Sequence, residues 1–218
     1  MSNVALIAGA TGLVGGSLLE LLLKDNHYEK VISLQRGQAT LIHPKLVTIQ
    51  TDFTNLDELI LPNVTDVFCC LGTTIKKAGS KEQFKKVDYS FPLALAECGG
   101  KAHAKHFLII TAMGANASSY FFYNKVKGEL EETLAAFKGI STISIFRPSL
   151  LLGKRIEKRA GESIGIILAE GVNKIFKTDI GIQAKDVSKA MYSIAKYPKQ
   201  TGTTYYASTQ IKEIAASA

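Results

Sequence analysis

The sequence has few cysteines, and their arrangement argues against both a disulfide-stabilised fold and a cysteine-ligated metal site. Only three occur among the 218 residues, Cys69, Cys70 and Cys98, and the first two are adjacent within an apolar run. An odd number with an adjacent pair fits neither a disulfide framework nor a metal-ligand set. We therefore expect reduced thiols in the core and no metal site.

The sequence also lacks a long apolar run and any repeat. No stretch approaches the length of a membrane span, and Met1-Ser2-Asn3 leads into the first predicted strand without a basic region or cleavage site. We expect a cytoplasmic protein without a membrane span. Because 218 residues suffice for one core, we predict a single domain over 1–218, with small substrate-side elements within about 149–218.

Positive charge exceeds negative charge in this chain. Lys and Arg number 26 against 19 Asp and Glu, which gives a net charge of +7. No nucleic-acid-binding motif accompanies the charge, so we expect no nucleic-acid partner. A basic rim would attract a phosphorylated cofactor or an acidic partner. Part of the excess positive charge comes from a cluster of five lysines, which is typical of a solvated helix face: Lys76, Lys77, Lys81, Lys85 and Lys86.

A glycine-rich turn is the strongest functional signal. Gly9, Gly12 and Gly15 lie between the apolar run 4–8 and the leucine-rich pattern of 18–23, which predicts a strand, a turn and a helix. In such a turn the first glycine permits the bend, the second lets the backbone approach a pyrophosphate, and the third packs the helix on the strand. Unpaired amides at the helix N-terminus favour phosphate. We predict dinucleotide binding here, with a merely structural turn as the alternative.

The end of the second predicted strand indicates which dinucleotide binds. Residues 30–34 form this strand, and it ends at Gln35-Arg36 with no Asp or Glu nearby. An acidic residue here binds the ribose hydroxyls of NAD, whereas an arginine pairs with the 2′-phosphate of NADP. Arg36 therefore predicts NADP(H), unless it is only a surface arginine.

Further apolar runs over 46–50, 66–71 and 106–110 predict strands of a parallel sheet covered on both faces. With the intervening helices they predict a doubly wound, Rossmann-like three-layer α/β/α fold with a small C-terminal helical extension. Such sheets bind ligands beyond the carboxyl ends of their strands. We therefore expect adenine beside Asp52 and Phe53, and another part of the cofactor beside Leu71 and Gly72.

A tyrosine and a lysine supply the predicted chemistry. Tyr123 and Lys127 are four residues apart on a predicted helix and so share one face. A lysine ammonium and an oxidised nicotinamide both favour the phenolate, which suits Tyr123 as general acid or base. Lys127 can also bind the nicotinamide ribose. Thr111, at the end of the fifth strand, could polarise a substrate carbonyl. Ser118 and Ser119 are the alternatives for this role, although we expect them to cap the helix.

Together the glycine turn and the Tyr123/Lys127 pair resemble the short-chain dehydrogenase/reductase superfamily, in its atypical, truncated branch. Segments 69–74, 126–129, 146–148 and 155–162 are similar to the Tat-interacting-protein oxidoreductases. That resemblance implies a Rossmann-like fold, NADPH binding, a tyrosine proton donor, and Thr111 in place of the superfamily's serine. It also implies phosphate contacts at Gly9, Thr11, Gly12 and Leu13, and nicotinamide-side contacts at Leu71, Gly72, Tyr123, Lys127, Leu151 and Arg159.

The C-terminal third predicts a strand over 140–146, an apolar helical stripe over 161–177, a helix capped by Asp186 and a strand near 204–206. Little room remains for a substrate domain. We predict an NADPH-dependent oxidoreductase that reduces a small carbonyl compound. The alternatives are a non-catalytic NADPH sensor that regulates a partner, and a sugar-nucleotide epimerase-like enzyme. A protein partner or a homodimer is left open.

Overall fold

A parallel seven-stranded sheet forms the centre of the molecule in the computed structural model, which describes residues 3–153, 181–197 and 200–218. The strands of this sheet are β1 (Asn3–Ala8), β2 (Tyr28–Gln35), β3 (Leu46–Gln50), β4 (Asp66–Cys69), β5 (His106–Ile110), β6 (Thr142–Arg147) and β9 (Gly202–Ala207). Their order is β3-β2-β1-β4-β5-β6-β9, with every neighbouring pair parallel. Two short strands, β7 (Leu150–Leu152) and β8 (Gly181–Gln183), pair separately.

Helices cover both faces of the sheet. They are α1 (Leu13–Lys24), α2 (Ile75–Ala78), α3 (Lys81–Lys85), α4 (Phe91–Lys101), α5 (Phe122–Ala136), α6 (Ala184–Lys196) and α7 (Ser208–Ala216), with a 3₁₀ turn over Leu56–Glu58 and a π-helical turn over Lys86–Ser90. Successive strand residues face opposite sides. Ala5 and Ile7 therefore pack with α1, α6 and α7, while Leu6 and Ala8 pack with α4 and α5. The predicted Rossmann-like α/β fold is confirmed.

The strand order places the crevice of the fold between β1 and β4, where the direction of winding reverses. Ala8 of β1 pairs with Leu34 of β2 and with Cys69 of β4, so these three strands end at the same level. In open α/β sheets ligands bind at such a switch point. The glycine turn after β1 therefore lies at the expected ligand edge.

Two local predictions are wrong. The helical spacing of Phe84, Phe91 and Cys98 in the sequence predicts one long helix, but the π-helical turn before α4 interrupts it. Pro92 explains the break, because its ring would collide with the carbonyl four residues earlier in a regular helix. Asp186 does not cap α6, since it lies within the first turn and Gln183 holds the cap position.

The remaining negative predictions concern cysteines and membrane segments. Cys69, Cys70 and Cys98 are all free thiols, and burial raises the pKa of Cys69 to about 12. Among the helices of the described ranges, none combines the length and the hydropathy of a membrane span. The apolar stripe predicted over 161–177 lies outside the described residues.

Candidate functional site

The glycine turn after β1 leaves no space for side chains at two of its three glycines. Gly9 has φ +87°, and a Cβ there would lie 2.4 Å from the carbonyl oxygen of Cys70. A Cβ on Gly15 would lie 2.1 Å from the carbonyl oxygen of Gly9. Both positions therefore require glycine for the turn itself.

Gly12 has a different role in the turn. It occupies the cap position of α1 without any side-chain cap, so the first amides of the helix have neither an intrahelical acceptor nor a capping side chain. A Cβ on Gly12 would meet only the oxygen of Gly9, at 3.1 Å. Thr11 is exposed beside it. This open helix N-terminus has the donors and dipole that a pyrophosphate requires, so the turn fits the implied dinucleotide.

Arg36 stands at the end of β2, one strand away from the glycine turn. Its side chain is exposed and makes no hydrogen bond or ion pair within the described part of the chain, while its carbonyl accepts from the Gln50 amide at 3.1 Å. Ala8 pairs with Leu34, which places Arg36 beside the start of the turn. The guanidinium is therefore available to an anion at this edge.

The loop after β3 places Asp52 and Phe53 differently from each other. Asp52 is exposed, and its carboxylate accepts from the backbone amide and the hydroxyl of Thr54. Phe53 has φ +70° and is buried, with its ring centroid 5.6 Å from that of Phe91. The ring is thus packed in the core. Of the two residues predicted to contact the adenine, only Asp52 is exposed. Positive φ in a non-glycine residue is a strained backbone state.

The other predicted cofactor residues surround the same edge. Leu71 packs on the core below β4, and Gly72 beside it is exposed. Leu13 and Leu151 pack against one core, and Gly153 lies against the Leu13 side chain. Arg159 lies outside the described residues.

Tyr123 and Lys127 lie in the first turns of α5 and differ in exposure. Tyr123 is half-buried, with its ring centroid 5.5 Å from that of the buried Phe84. The Lys127 side chain is only 4% exposed, and its ammonium lies 2.8 Å from the Oδ1 atom of Asp88. Burial opposes the charge, but Asp88 and Tyr123 outweigh it and raise the pKa of Lys127 above its usual value. Lys127 is therefore a buried cation with a fixed partner.

Asp88 is the site residue that the sequence reasoning missed. It lies in the π-helical turn, is fully buried, and its Oδ2 atom accepts a hydrogen bond from the Thr73 amide at 2.9 Å. Gly72 packs against the same carboxylate. The available signal was a carboxylate four residues after Phe84, on the apolar stripe of a predicted helix.

Thr111 ends β5 with its hydroxyl directed at a buried carboxylate. The hydroxyl donates to Glu131 of α5, and Glu131 also accepts from the Nε and Nη2 atoms of Arg147. A hydroxyl has one proton to donate. The Thr111 hydroxyl is therefore occupied as a hydrogen-bond donor to Glu131 in this structure. The adjoining cleft of about 330 Å³ is lined in part by Asn116, Arg147 and Tyr205.

The loop between β5 and α5 contains the two serines that were expected to cap α5. Ser119 accepts from the Phe121 amide at 3.1 Å, but the cap position of α5 is Phe121 and has no side-chain cap. The expectation that Ser118 and Ser119 cap α5 is therefore wrong. A Cβ on Gly128 would lie 2.1 Å from the Ala117 amide nitrogen, so α5 packs directly on the loop after β5.

Solved structures place the fold in a broad class. A UDP-glucuronic acid 4-epimerase from Bacillus cereus, solved in complex with UDP-glucuronic acid and NAD, matches with a TM-score of 0.68 and 14% sequence identity. The match covers 94% of this chain and 76% of that one. The chain therefore has the fold of the short-chain dehydrogenase and epimerase proteins.

Sequence comparison defines the family. The HIM1 family model matches residues 38–178, and the chain belongs to this family. It is 35% identical over 206 residues to the mitochondrial protein FMP52 of Debaryomyces hansenii, covering 91% of this chain and 90% of that protein. It is 38% identical over 161 residues to Protein HTATIP2 of Rattus norvegicus, covering 72% and 66%. The resemblance to the Tat-interacting-protein family is confirmed.

The predicted cytoplasmic location is wrong by the same comparison. The FMP52 relatives carry a mitochondrial designation in their names, including those of Lodderomyces elongisporus and Candida albicans. The prediction relied on the absence of a recognisable leader in the sequence, which is weak evidence for a compartment.

Proposed function

We propose that the protein is an NADPH-dependent oxidoreductase that reduces a small carbonyl compound. The observation that carries the proposal is the geometry of the carboxyl edge of the sheet. An open helix N-terminus, an exposed arginine and a tyrosine beside a buried lysine follow β1, β2 and β5. The NAD named for the Bacillus cereus structure supports a nicotinamide dinucleotide, and Arg36 supports its phosphorylated form.

The residues divide the binding of the cofactor among the ends of five strands, β1 to β5. The first-turn amides of α1 would hold the pyrophosphate, Arg36 the 2′-phosphate, and Asp52 the adenine. Lys127 would hold the nicotinamide ribose, with Leu71, Gly72 and Leu151 nearby. When bound, NADPH supplies the hydride for the carbonyl carbon.

Tyr123 supplies the proton in this proposal. Its hydroxyl gives a proton to the carbonyl oxygen, and solvent restores it afterwards, because the side chain is half-buried rather than sealed. Thr111 would orient the carbonyl oxygen after its hydroxyl rotates away from Glu131.

The test is to measure NADPH consumption with a panel of small aldehydes and ketones. The absorbance of the reduced nicotinamide monitors the reaction. We expect Tyr123→Phe to lower turnover by about 100-fold or more and to leave NADPH binding intact. Tyr120→Phe is the matched control, since Tyr120 is fully exposed in the preceding loop. Equal turnover in the wild type and Tyr123→Phe would refute the mechanism.

A non-catalytic NADPH sensor is the second candidate, and one observation favours it. The Thr111 hydroxyl is bound to Glu131, and Ala112 follows it without a hydroxyl of its own. In that case NADPH would bind, the whole carbonyl panel would show no turnover, and proteins captured from a lysate would differ between NADP and NADPH.

A further inference from the structure

Asp88 connects two parts of the proposed site that are distant in sequence. One carboxylate oxygen lies 2.8 Å from the Lys127 ammonium on α5, and the other accepts from the Thr73 amide after β4. The Asp88 side chain is 1% exposed and that of Lys127 is 4% exposed, so water does not screen the pair. The π-helical turn directs Asp88 inward at this point.

The pair changes the charge that Tyr123 experiences. A lone ammonium one helical turn away would favour the phenolate. With a carboxylate at 2.8 Å, the two charges form a neutral unit. Among the residues that the structure describes, the other titratable group that acts on Lys127 is Cys69 of β4. Burial raises the pKa of Cys69 to about 12, so that it stays a neutral thiol.

We propose that Asp88 is a positioning residue that fixes Lys127 against the loop after β4 and, by neutralising the ammonium, keeps the proton on Tyr123. The inference rests on the proposed role of Tyr123 as proton donor. It favours the reducing direction, because a protonated tyrosine is the form that gives a proton to a carbonyl oxygen.

The test is a pH titration of phenolate absorbance on the protein without cofactor or substrate. The chain has eight tyrosines, so each variant is compared with the same variant carrying Tyr123→Phe, and the difference reports Tyr123 alone. We expect Asp88→Asn to lower the midpoint of phenolate formation by about one pH unit or more. Asparagine still accepts from the Thr73 amide, so this change removes the charge and keeps the loop contact.

Two further variants keep the test decisive where Asp88→Asn folds poorly. Lys127→Gln leaves the carboxylate alone and should raise the midpoint by about one pH unit. The double variant Asp88→Asn/Lys127→Gln restores neutrality, and its midpoint should return to within about half a unit of the wild type. Glu129→Gln is the control, since it removes a partly exposed carboxylate of α5 that pairs with Lys85.

The outcomes separate this inference from the proposed function. A midpoint that is the same in the wild type, both single variants and the double variant would overturn the role of Asp88. Failure of NADPH to bind or to be consumed would overturn the proposed function, yet it would leave the titration result unchanged.

Discussion

Asp66 should make the protein less stable as pH rises toward neutrality. It lies at the start of β4, buried at the edge of the sheet opposite the proposed site. The Tyr28 hydroxyl donates to its Oδ2 atom at 2.8 Å, and the Nδ1 atom of His106 lies 3.8 Å from its Oδ1 atom. Burial raises the pKa of Asp66 to about 7 and lowers that of His106 to about 4. Between about pH 4 and about pH 7 the cluster therefore combines a protonated acid with a neutral imidazole.

The sign of the effect follows from proton binding in the two states. Between the unfolded pKa of 3.8 and the folded pKa of about 7, the native state retains the Asp66 proton and the unfolded chain loses it. Stability from Asp66 is therefore complete below 3.8 and is lost as pH rises to about 7. The whole difference is on the order of 4 kcal/mol, of which roughly 2 to 3 kcal/mol falls between about pH 5 and about pH 8.

His106 has the opposite slope, and the comparison must separate it. Its neutral form stabilises the fold above 6.5, and this contribution is lost as pH falls toward about 4. Asp66→Asn removes the acid, retains an acceptor for Tyr28 and leaves His106 in place. The measurement is the free energy of unfolding in urea, monitored by circular dichroism. The value for the variant minus the value for the wild type should be larger at about pH 8 than at about pH 5, by roughly 2 to 3 kcal/mol.

The control for this experiment is Asp57→Asn, which alters an exposed carboxylate in the 3₁₀ turn. Its stability difference from the wild type should be the same at about pH 5 and about pH 8. A constant difference for Asp66→Asn as well would show that Asp66 ionises in the folded protein as it does in water, and would refute the reasoning.

Two further predictions concern close packing and a buried pair. Gly15→Ala places a methyl group 2.1 Å from the Gly9 oxygen, so it should cost about 2 kcal/mol or more in urea unfolding, whereas Gly16→Ala has 3.5 Å of clearance and should be neutral or stabilising. Equal losses in both variants would contradict this. Glu131→Gln should cost about 2 kcal/mol in the same assay, because it weakens the contact with Arg147, which is one-third exposed. An unchanged stability would show that this pair contributes nothing.

The frame of the fold was predictable because its signals are local. The apolar runs, the spacing of Gly9, Gly12 and Gly15 and the arginine after β2 each depend on a few consecutive residues. The carboxyl ends of parallel strands meet at one edge, so the order of strands brings these groups together without further information.

The contacts that give the site its electrostatics were not predictable in the same way. Asp88 meets Lys127 only because a π-helical turn before Pro92 interrupts a helix. Glu131 of α5 contacts Arg147 at the end of β6, 16 residues later in the sequence. Phe53 was expected to contact the adenine because its side chain is aromatic, but tertiary packing buries the ring against α4. Partners of this kind depend on three-dimensional packing rather than on periodicity.

The most direct test of the central claim is titration of the protein with NADPH and NADH, repeated on Arg36→Ala and on the control Lys138→Ala. Lys138 is an exposed residue between α5 and the start of β6, at the edge of the sheet opposite the glycine turn. We expect NADPH to bind more tightly than NADH, and Arg36→Ala to lose roughly 10- to 100-fold in NADPH affinity while NADH affinity stays unchanged. Lys138→Ala should bind both as the wild type does. If neither dinucleotide binds the wild type, the glycine turn is only a structural element and the proposed activity is wrong.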